Sequence, residues 1–345
     1  MVSCSQKIKV LYLPNVIHTE RVFTEKAFAR LNNTFDVTRL VNGLENCTSE
    51  QVAEAIPGFD ALVTGWGTPL LTRRVFEQAD SLRIIAHSAG TVKRMLLECA
   101  HEYVVPRKIC VYSANREIAY NAAEHTIGLM IMMSRQLASY QLMIQNDRNA
   151  WPNRMIRPNS QYLTGSTVGI VSASEVGRRV IHLLKPFNTT VVVFDPYSTE
   201  KDADVLGVEK VELLDVFSRS DIVSVHTPLL PETMSMINST HFSAMRDGAV
   251  FINTSRGGVL DEHALILELK IGRISAALDV TSEEPLPENS PLLSLKNVLI
   301  TPHLAGSGYY GYSRIGEGTV RALEDFFEER TVEGAIDFAK YDIIA

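Results

Sequence analysis

At 345 residues the chain has room for two domains, each with its own hydrophobic core. Hydrophobic residues at 46% and charged residues at 21% are ordinary globular values, and no apolar run reaches the roughly 18 residues of a membrane span. A formal net charge of −7 argues against nucleic acid or an anionic membrane as partner, because both require a basic face.

The opening stretch, Met1 to Val10, resembles neither a signal nor a transit peptide and leads into a first strand, Lys7 to Leu13. Phe23 to Leu31 reads as a helix; Ala61 to Thr64, Arg83 to His87 and Cys110 to Tyr112 read as further strands. A long helix rich in Ala, Ile, Leu and Met is expected from about Tyr120 to Met143, then a polar loop from Gln145 to Pro158 that carries Trp151. A second series starts at Ser166, with strands at Thr167 to Val171, Thr190 to Phe194, Ile222 to Val225, Ala249 to Asn253, Ile274 to Leu278 and Val298 to Thr301. The tail from about Tyr310 to Glu329 is helical again. Strands alternating with helices predict an α/β fold with parallel sheets. If the tail packs back on the first domain, that domain comprises residues 1–114 plus 308–345 and the second residues 115–307. The crossings near Ala114 and Ser307 are then hinges around a cleft.

Four cysteines, Cys4, Cys47, Cys99 and Cys110, are scattered without CxxC spacing. This pattern predicts reduced thiols in a cytoplasmic protein and no metal site.

Gly169-Ile170-Val171-Ser172-Ala173-Ser174-Glu175-Val176-Gly177-Arg178 joins a strand to a helix. A dinucleotide-binding turn of the form G-x-G-x-x-G would place its glycines at 172, 174 and 177; here these are Ser172, Ser174 and Gly177. Only the glycine that lets helix and strand pack closely is kept. Ser172 must tolerate the tight turn, and Ser174 puts a hydroxyl where backbone normally approaches the pyrophosphate, to donate to phosphate or to crowd it. Asp195, at the end of the next strand, is placed to accept both ribose hydroxyls and to repel a 2′-phosphate, which favours NAD over NADP.

Three later stretches each end a strand-like run: Asn253-Thr254-Ser255-Arg256-Gly257-Gly258, Asp279-Val280-Thr281-Ser282-Glu283-Glu284-Pro285 and Thr301-Pro302-His303-Leu304-Ala305-Gly306. They bring an arginine, a glutamate and a histidine to neighbouring strand ends. An arginine fork holds a carboxylate bidentately and polarises the adjacent ketone. An imidazole donates a proton to the carbonyl oxygen, or takes it back in the reverse direction, and a carboxylate beside it favours its charged form. This equipment suits the reduction of a 2-oxo acid.

With Asp221 to Thr233, Val63 to Pro69, Ala86 to Thr91 and Ala122 to Thr126, these stretches resemble the D-isomer-specific 2-hydroxyacid dehydrogenases over roughly residues 55 to 325. The resemblance implies two Rossmann-like doubly wound domains with a cleft between them, the discontinuous substrate domain being flavodoxin-like and the other binding NAD. It implies Arg256, Glu284 (rather than Glu283) and His303 as catalytic. It implies cofactor contacts at Thr91, Ser174, Glu175, Val176, Asp195, Thr227, Thr254, Ser255, Asp279 and Gly306, and substrate contacts at Ala89, Gly90 and Arg256. Members acting on a phosphorylated acid carry cations at positions matching Thr64 and Ser88. Neither is basic here, so a small unphosphorylated acid such as glyoxylate or hydroxypyruvate is expected. The resemblance also implies a homodimer. An NAD(H)-sensing binding protein of the corepressor type and a catalytically decayed homologue are the alternatives, and Ser172 and Ser174 are the feature that keeps them open. His87, His125, Trp66 and Tyr309 are candidates to line the cleft.

Overall fold

The computed structural model describes residues 7–97, 99–147, 162–306 and 309–343; Cys4, Trp151 with most of the expected polar loop, and the crossing at Ser307 lie outside the described residues, as does the Tyr309 side chain. The chain divides into two compact units, Met1–Ile118 with Ser307–Ala345, and Ala119–Gly306.

The first unit runs β1 (Lys9–Tyr12), α1 (Val16–Val22), α2 (Glu25–Thr34), β2 (Asp36–Arg39), α3 (Ser49–Ala55), β3 (Ala61–Thr64), α4 (Arg73–Gln78), β4 (Ile84–His87), α5 (Lys93–Leu96) and β5 (Cys110–Ser113). All five strands are parallel, in the order β2-β1-β3-β4-β5, which is the flavodoxin-like order. The central strands β3 and β4 are buried at every position, so they read as continuous apolar runs rather than as alternation. Leu11, Leu62, Phe76 and Ile85 form part of the core on one face; Tyr12, Val63 and Ala86 belong to the core on the other.

The expected helix from Phe23 begins later. Phe23 closes α1, and Thr24 caps α2 by accepting the Ala27 N–H at 3.1 Å.

The second unit contains most of α6 (Asn115–Ser134), then α7 (Leu137–Asn146), β6 (Thr167–Val171), α8 (Glu175–Leu184), β7 (Thr190–Phe194), α9 (Glu200–Leu206), β8 (Glu209–Lys210), α10 (Leu213–Arg219), β9 (Ile222–Val225), α11 (Ser239–Ala244), β10 (Val250–Asn253), α12 (Glu262–Ile271), β11 (Ser275–Leu278) and β12 (Val298–Ile300). The single helix expected from Tyr120 to Met143 is therefore two. Gln136 sits in the left-handed region at φ 54°, a conformation that a right-handed helix cannot contain, and the ladder restarts at Leu137.

The seven parallel strands are ordered β12-β11-β10-β9-β6-β7-β8. Phe217, Phe242 and Phe251 fill the core on one face of the sheet, and Leu129, Val180 and Ile181 that on the other. Strand order reverses between β6 and β9, and in open parallel sheets the crevice outside the carboxyl ends at that point takes the ligand. A last helix, α13 (Tyr309–Phe327), returns to the first unit, where Ile315, Val320 and Leu323 join its core.

Candidate active site and dinucleotide turn

At the end of β10 the side chain of Asn253 folds the backbone into a tight turn. Its Oδ1 accepts from the Ser255 N–H at 3.0 Å and from Ser255 Oγ at 2.8 Å, while its Nδ2 donates to the Arg256 carbonyl at 3.0 Å. Arg256 leaves that turn exposed, with Nη1 donating to the Ser255 carbonyl at 2.6 Å. Loss of hydration lowers its guanidinium below the ordinary arginine value, and the negative charge of Glu284 works against that shift. Gly257 follows for a packing reason. A Cβ there would lie 2.0 Å from the backbone of Thr281, so the loop carrying Arg256 meets the loop carrying Glu284 only across a glycine.

The β11 loop aims Glu284 through Thr281, whose N–H donates to Glu284 Oε1 at 3.2 Å. The other oxygen, Oε2, meets His303 Nδ1 at 2.7 Å. Glu283 offers only its carbonyl, to Thr281 Oγ1. A carboxylate on Nδ1 fixes the neutral ring with its hydrogen there, leaving Nε2 to take or give a proton.

His303 itself sits in the left-handed region at φ 50°, and its N–H donates to the Asp279 carbonyl at 2.8 Å. The Asp279 carboxylate is almost wholly buried and holds the same loop: it accepts from Thr301 Oγ1 at 2.6 Å, Leu304 N at 2.9 Å and Ala305 N at 2.8 Å. His125 Nε2 lies 3.3 Å from Thr301 Oγ1. A backbone conformation costing of order 1–3 kcal/mol at a histidine is thus over-determined by its surroundings. Sequence reading missed Asn253, Thr281 and Thr301 as supports. Asn253 had a signal, since an Asn two residues before a Ser at a strand end suits such a turn; Thr301 acts through a tertiary contact and Thr281 through bonds inside its own loop, and neither gave one.

In the β6–α8 turn, Gly177 is forced: a Cβ there would stand 2.1 Å from the Ser172 carbonyl. Ser172 takes the left-handed conformation at φ 78° that a glycine would adopt freely. Its Oγ donates to Asp195 Oδ2 at 3.3 Å; the Ala173 N–H donates to the same oxygen at 2.8 Å and the Tyr197 N–H to Oδ1 at 2.8 Å. Ser174 caps α8 by accepting from the Gly177 N–H, and its own proton goes to the His226 carbonyl at 2.8 Å. The choice left open by the sequence, a hydroxyl donating to phosphate or crowding it, has a third answer: in this structure the hydroxyl is spent inside the protein. Strand, turn, forced glycine, helix start and a carboxylate at the end of β7 nevertheless fit a dinucleotide, with Asp195 on the ribose and the first turn of α8 on the phosphates.

Around the turn, Thr227 Oγ1 donates to the Val171 carbonyl at 3.3 Å, and Thr254 Oγ1 pairs with Thr126 Oγ1 at 2.9 Å. Glu175 and Val176 open α8, and the Gly306 carbonyl accepts from Asn121 Nδ2 at 3.2 Å. Ala89, Gly90 and Thr91 belong to the first unit, after β4. There the Ala89 carbonyl accepts from Ala114 N, the Gly90 carbonyl from Ser113 Oγ and Thr91 Oγ1 from Lys93 N. Also in that unit, Ser88 Oγ donates to the Thr64 carbonyl at 2.6 Å and meets His18 Nε2 at 2.8 Å, while Thr64 Oγ1 meets His87 Nδ1 at 2.8 Å. Trp66 stands edge-on to both His18 and Tyr312. Among the described residues no group of three or more His, Cys, Asp or Glu side chains is placed to hold a metal ion. No helix of the described residues is long and apolar enough to cross a membrane.

A seven-stranded parallel sheet with a phosphate-type turn at its switch point defines a dinucleotide-binding α/β domain. The model for the NAD-binding domain of D-isomer specific 2-hydroxyacid dehydrogenases matches residues 127–305, and the chain belongs to that family. It is 34% identical over 262 residues to D-3-phosphoglycerate dehydrogenase of Methanocaldococcus jannaschii, covering 75% of this chain and 48% of that one. It is 30% identical over 312 residues to the Mycobacterium tuberculosis protein of the same name, covering 90% and 56%. The chain thus spans about half the length of these relatives. A phosphoglycerate oxidoreductase from Rhizobium etli shares the fold, with a TM-score of 0.81 at 24% identity over 96% of this chain and 98% of the other.

Proposed function

We propose that the chain interconverts a small unphosphorylated 2-oxo acid and its D-2-hydroxy acid, using NAD(H). The observation that carries the proposal is the 2.7 Å pair of Glu284 and His303, standing on strand ends next to the loop of Arg256. When bound, the nicotinamide supplies or accepts the hydride. Arg256 holds the carboxylate of the acid with its fork of donors and draws electron density from the neighbouring carbonyl. His303, held by Glu284 at its Nδ1, gives its Nε2 proton to the carbonyl oxygen in reduction and recovers a proton from the hydroxyl in oxidation. Glu284 keeps the ring oriented and compensates its charge. Asp279 fixes the loop that carries His303.

We assign cofactor contacts to Asp195, the backbone of Ser174, Glu175, Val176, Thr227, Thr254, Ser255, Asp279, Gly306 and Thr91. The second unit is the cofactor domain in this reading, and the first, with Ala89 and Gly90, the substrate domain. The absence of a cation at Thr64 and Ser88 supports an unphosphorylated acid. Both side chains are fully buried and bonded to neutral histidines, a setting that suits no phosphate. The names of the relatives favour a second reading, oxidation of 3-phosphoglycerate. A homodimer in the cytoplasm completes the proposal.

The test is NADH consumption with glyoxylate, hydroxypyruvate and pyruvate, set beside NAD reduction with 3-phosphoglycerate. Turnover of an unphosphorylated acid is expected. Turnover of 3-phosphoglycerate alone would replace the substrate assignment, and tight NADH binding without turnover of any acid would favour a nucleotide sensor.

A further inference from the structure

The dinucleotide turn is satisfied from within. A carboxylate offers about four lone-pair positions, and Asp195 has given three to its own chain. Oδ2 takes both Ala173 N and Ser172 Oγ, and Oδ1 takes Tyr197 N. One acceptor position is left, on Oδ1, for a ribose diol that brings two hydroxyls. The weakest of the three internal bonds by length is that from Ser172 Oγ, at 3.3 Å. Ser174 does a second thing. Its hydroxyl accepts from the first turn of α8 and donates to the carbonyl of His226, the residue that follows β9. The bond therefore runs from the β6 turn to the β9 loop, across the switch point of the sheet. At the second glycine position, where backbone ordinarily comes closest to a pyrophosphate, the chain carries a Cβ and a hydroxyl tied to the opposite wall.

We propose that Ser172 and Ser174 are internal competitors of the dinucleotide, residues that set its affinity by occupying with their own hydroxyls the Asp195 acceptor and the mouth of the switch-point crevice. The inference rests on the reading of this unit as an NAD site. Its consequence is an affinity lowered from what the same turn with glycines would give, so that occupancy follows the concentration of NAD(H). The discrimination against a 2′-phosphate is untouched, because it depends on the charge of Asp195, which neither serine alters.

The experiment is a fluorescence titration of the nucleotide-free protein with NADH, and separately with NADPH, for the natural chain, S172G, S172A, S174G and the S172G/S174G pair. Melting temperatures are recorded alongside. Both positions accept glycine: Ser172 already has a left-handed backbone, and glycine is a tolerated helix N-cap. Each single variant is expected to bind NADH about five-fold more tightly, the factor of one ordinary hydrogen bond. The paired variant should bind more tightly still, with NADPH tightening by the same factor in each variant, so that the preference between the two nucleotides is unchanged. Equal or weaker NADH binding by the variants, with the natural chain binding, overturns the inference and leaves the NAD reading intact; it would make the serine hydroxyls, rather than the backbone, the cofactor contacts. Tightening in S172G but not S172A also overturns it, since the backbone and not the hydroxyl would then set affinity. NADH binding by none of the proteins, all melting normally, removes the NAD reading and this inference with it.

Discussion

In the first unit, His18 and His87 lie 4% and 5% exposed among Thr64 and Ser88, whereas in the second His303 stands exposed with Glu284 on its Nδ1. Burial pushes His18 down to about 4 and His87 down to about 3, and each is further discouraged from charging by a neighbouring cation or histidine. His18 lies in α1 and His87 ends β4, and the sequence marks His87 as a candidate to line a cleft. What separates them is access and a carboxylate. A histidine without water or a counter-charge is a neutral member of a hydrogen-bond chain, and one with both is available for proton transfer.

The contrast breaks most visibly in turnover. His303→Gln is expected to lower kcat about 10²–10⁴-fold, the usual size of a lost general acid–base. Arg256→Gln should lower kcat/KM about 10²–10³-fold, in line with the loss of one preorganised charge-stabilising donor group. Because Arg256 and His303 are both exposed, urea unfolding should show changes within about 0.5 kcal/mol for either. A large loss of stability with activity retained would place His303 with the buried histidines after all.

Glu284→Gln tests the pairing more finely. A neutral amide no longer compensates the charge that the ring carries while it gives its proton, so kcat falls about ten-fold. A kcat equal to that of the natural chain would remove Glu284 from the mechanism.

The smallest effect concerns stability in acid and uses the buried histidine of the second unit. Burial pushes His226 down to about 3, while in the unfolded chain it titrates near 6.5. Between those values the unfolded state binds the extra proton. This contribution to stability is fully present above pH 6.5 and is lost as the pH falls toward 3, by at most about 1.4 kcal/mol per pH unit. His226→Asn, which has no proton to take up, should unfold in urea with a shallower dependence on pH between 6.5 and 5. An unchanged slope would mean that His226 is not held neutral by the fold.

The sheets were readable because their inner strands are runs of Val, Ile, Leu and Ala closed by polar loops, a pattern that burial on both faces demands. The break at Gln136 was not readable. No proline or glycine marks it, and a left-handed glutamine is a tertiary choice that local propensity does not announce. Strand β2 alternates and stands half-exposed at the sheet edge, and β8 has two residues, so neither left a clear pattern. At the candidate site, the arginine, glutamate and histidine were legible as strand-end residues, and Glu284 was distinguishable from Glu283 through the motif it resembles. What Asp279 and Thr301 hold was not legible, because each acts on a loop distant in sequence, and the bonds of Thr281 within its own loop depend on a backbone fold that no residue pattern announces. The serines of the dinucleotide turn were visible as a departure, while their hydrogen-bond partners, Asp195 and the His226 carbonyl, come from strands that only the fold brings alongside.

The left-handed backbone at His303 also limits how this chain could drift. Most side chains resist that conformation, and β-branched ones resist it strongly, whereas glycine and asparagine enter it readily. A descendant that abandoned proton transfer but kept the loop around Asp279 would be expected to show Asn or Gly at 303 before Val, Ile or Thr. The geometry of one peptide thus leaves a distinguishable mark on lineages that lose the chemistry, separate from the mark left by lineages that lose the fold.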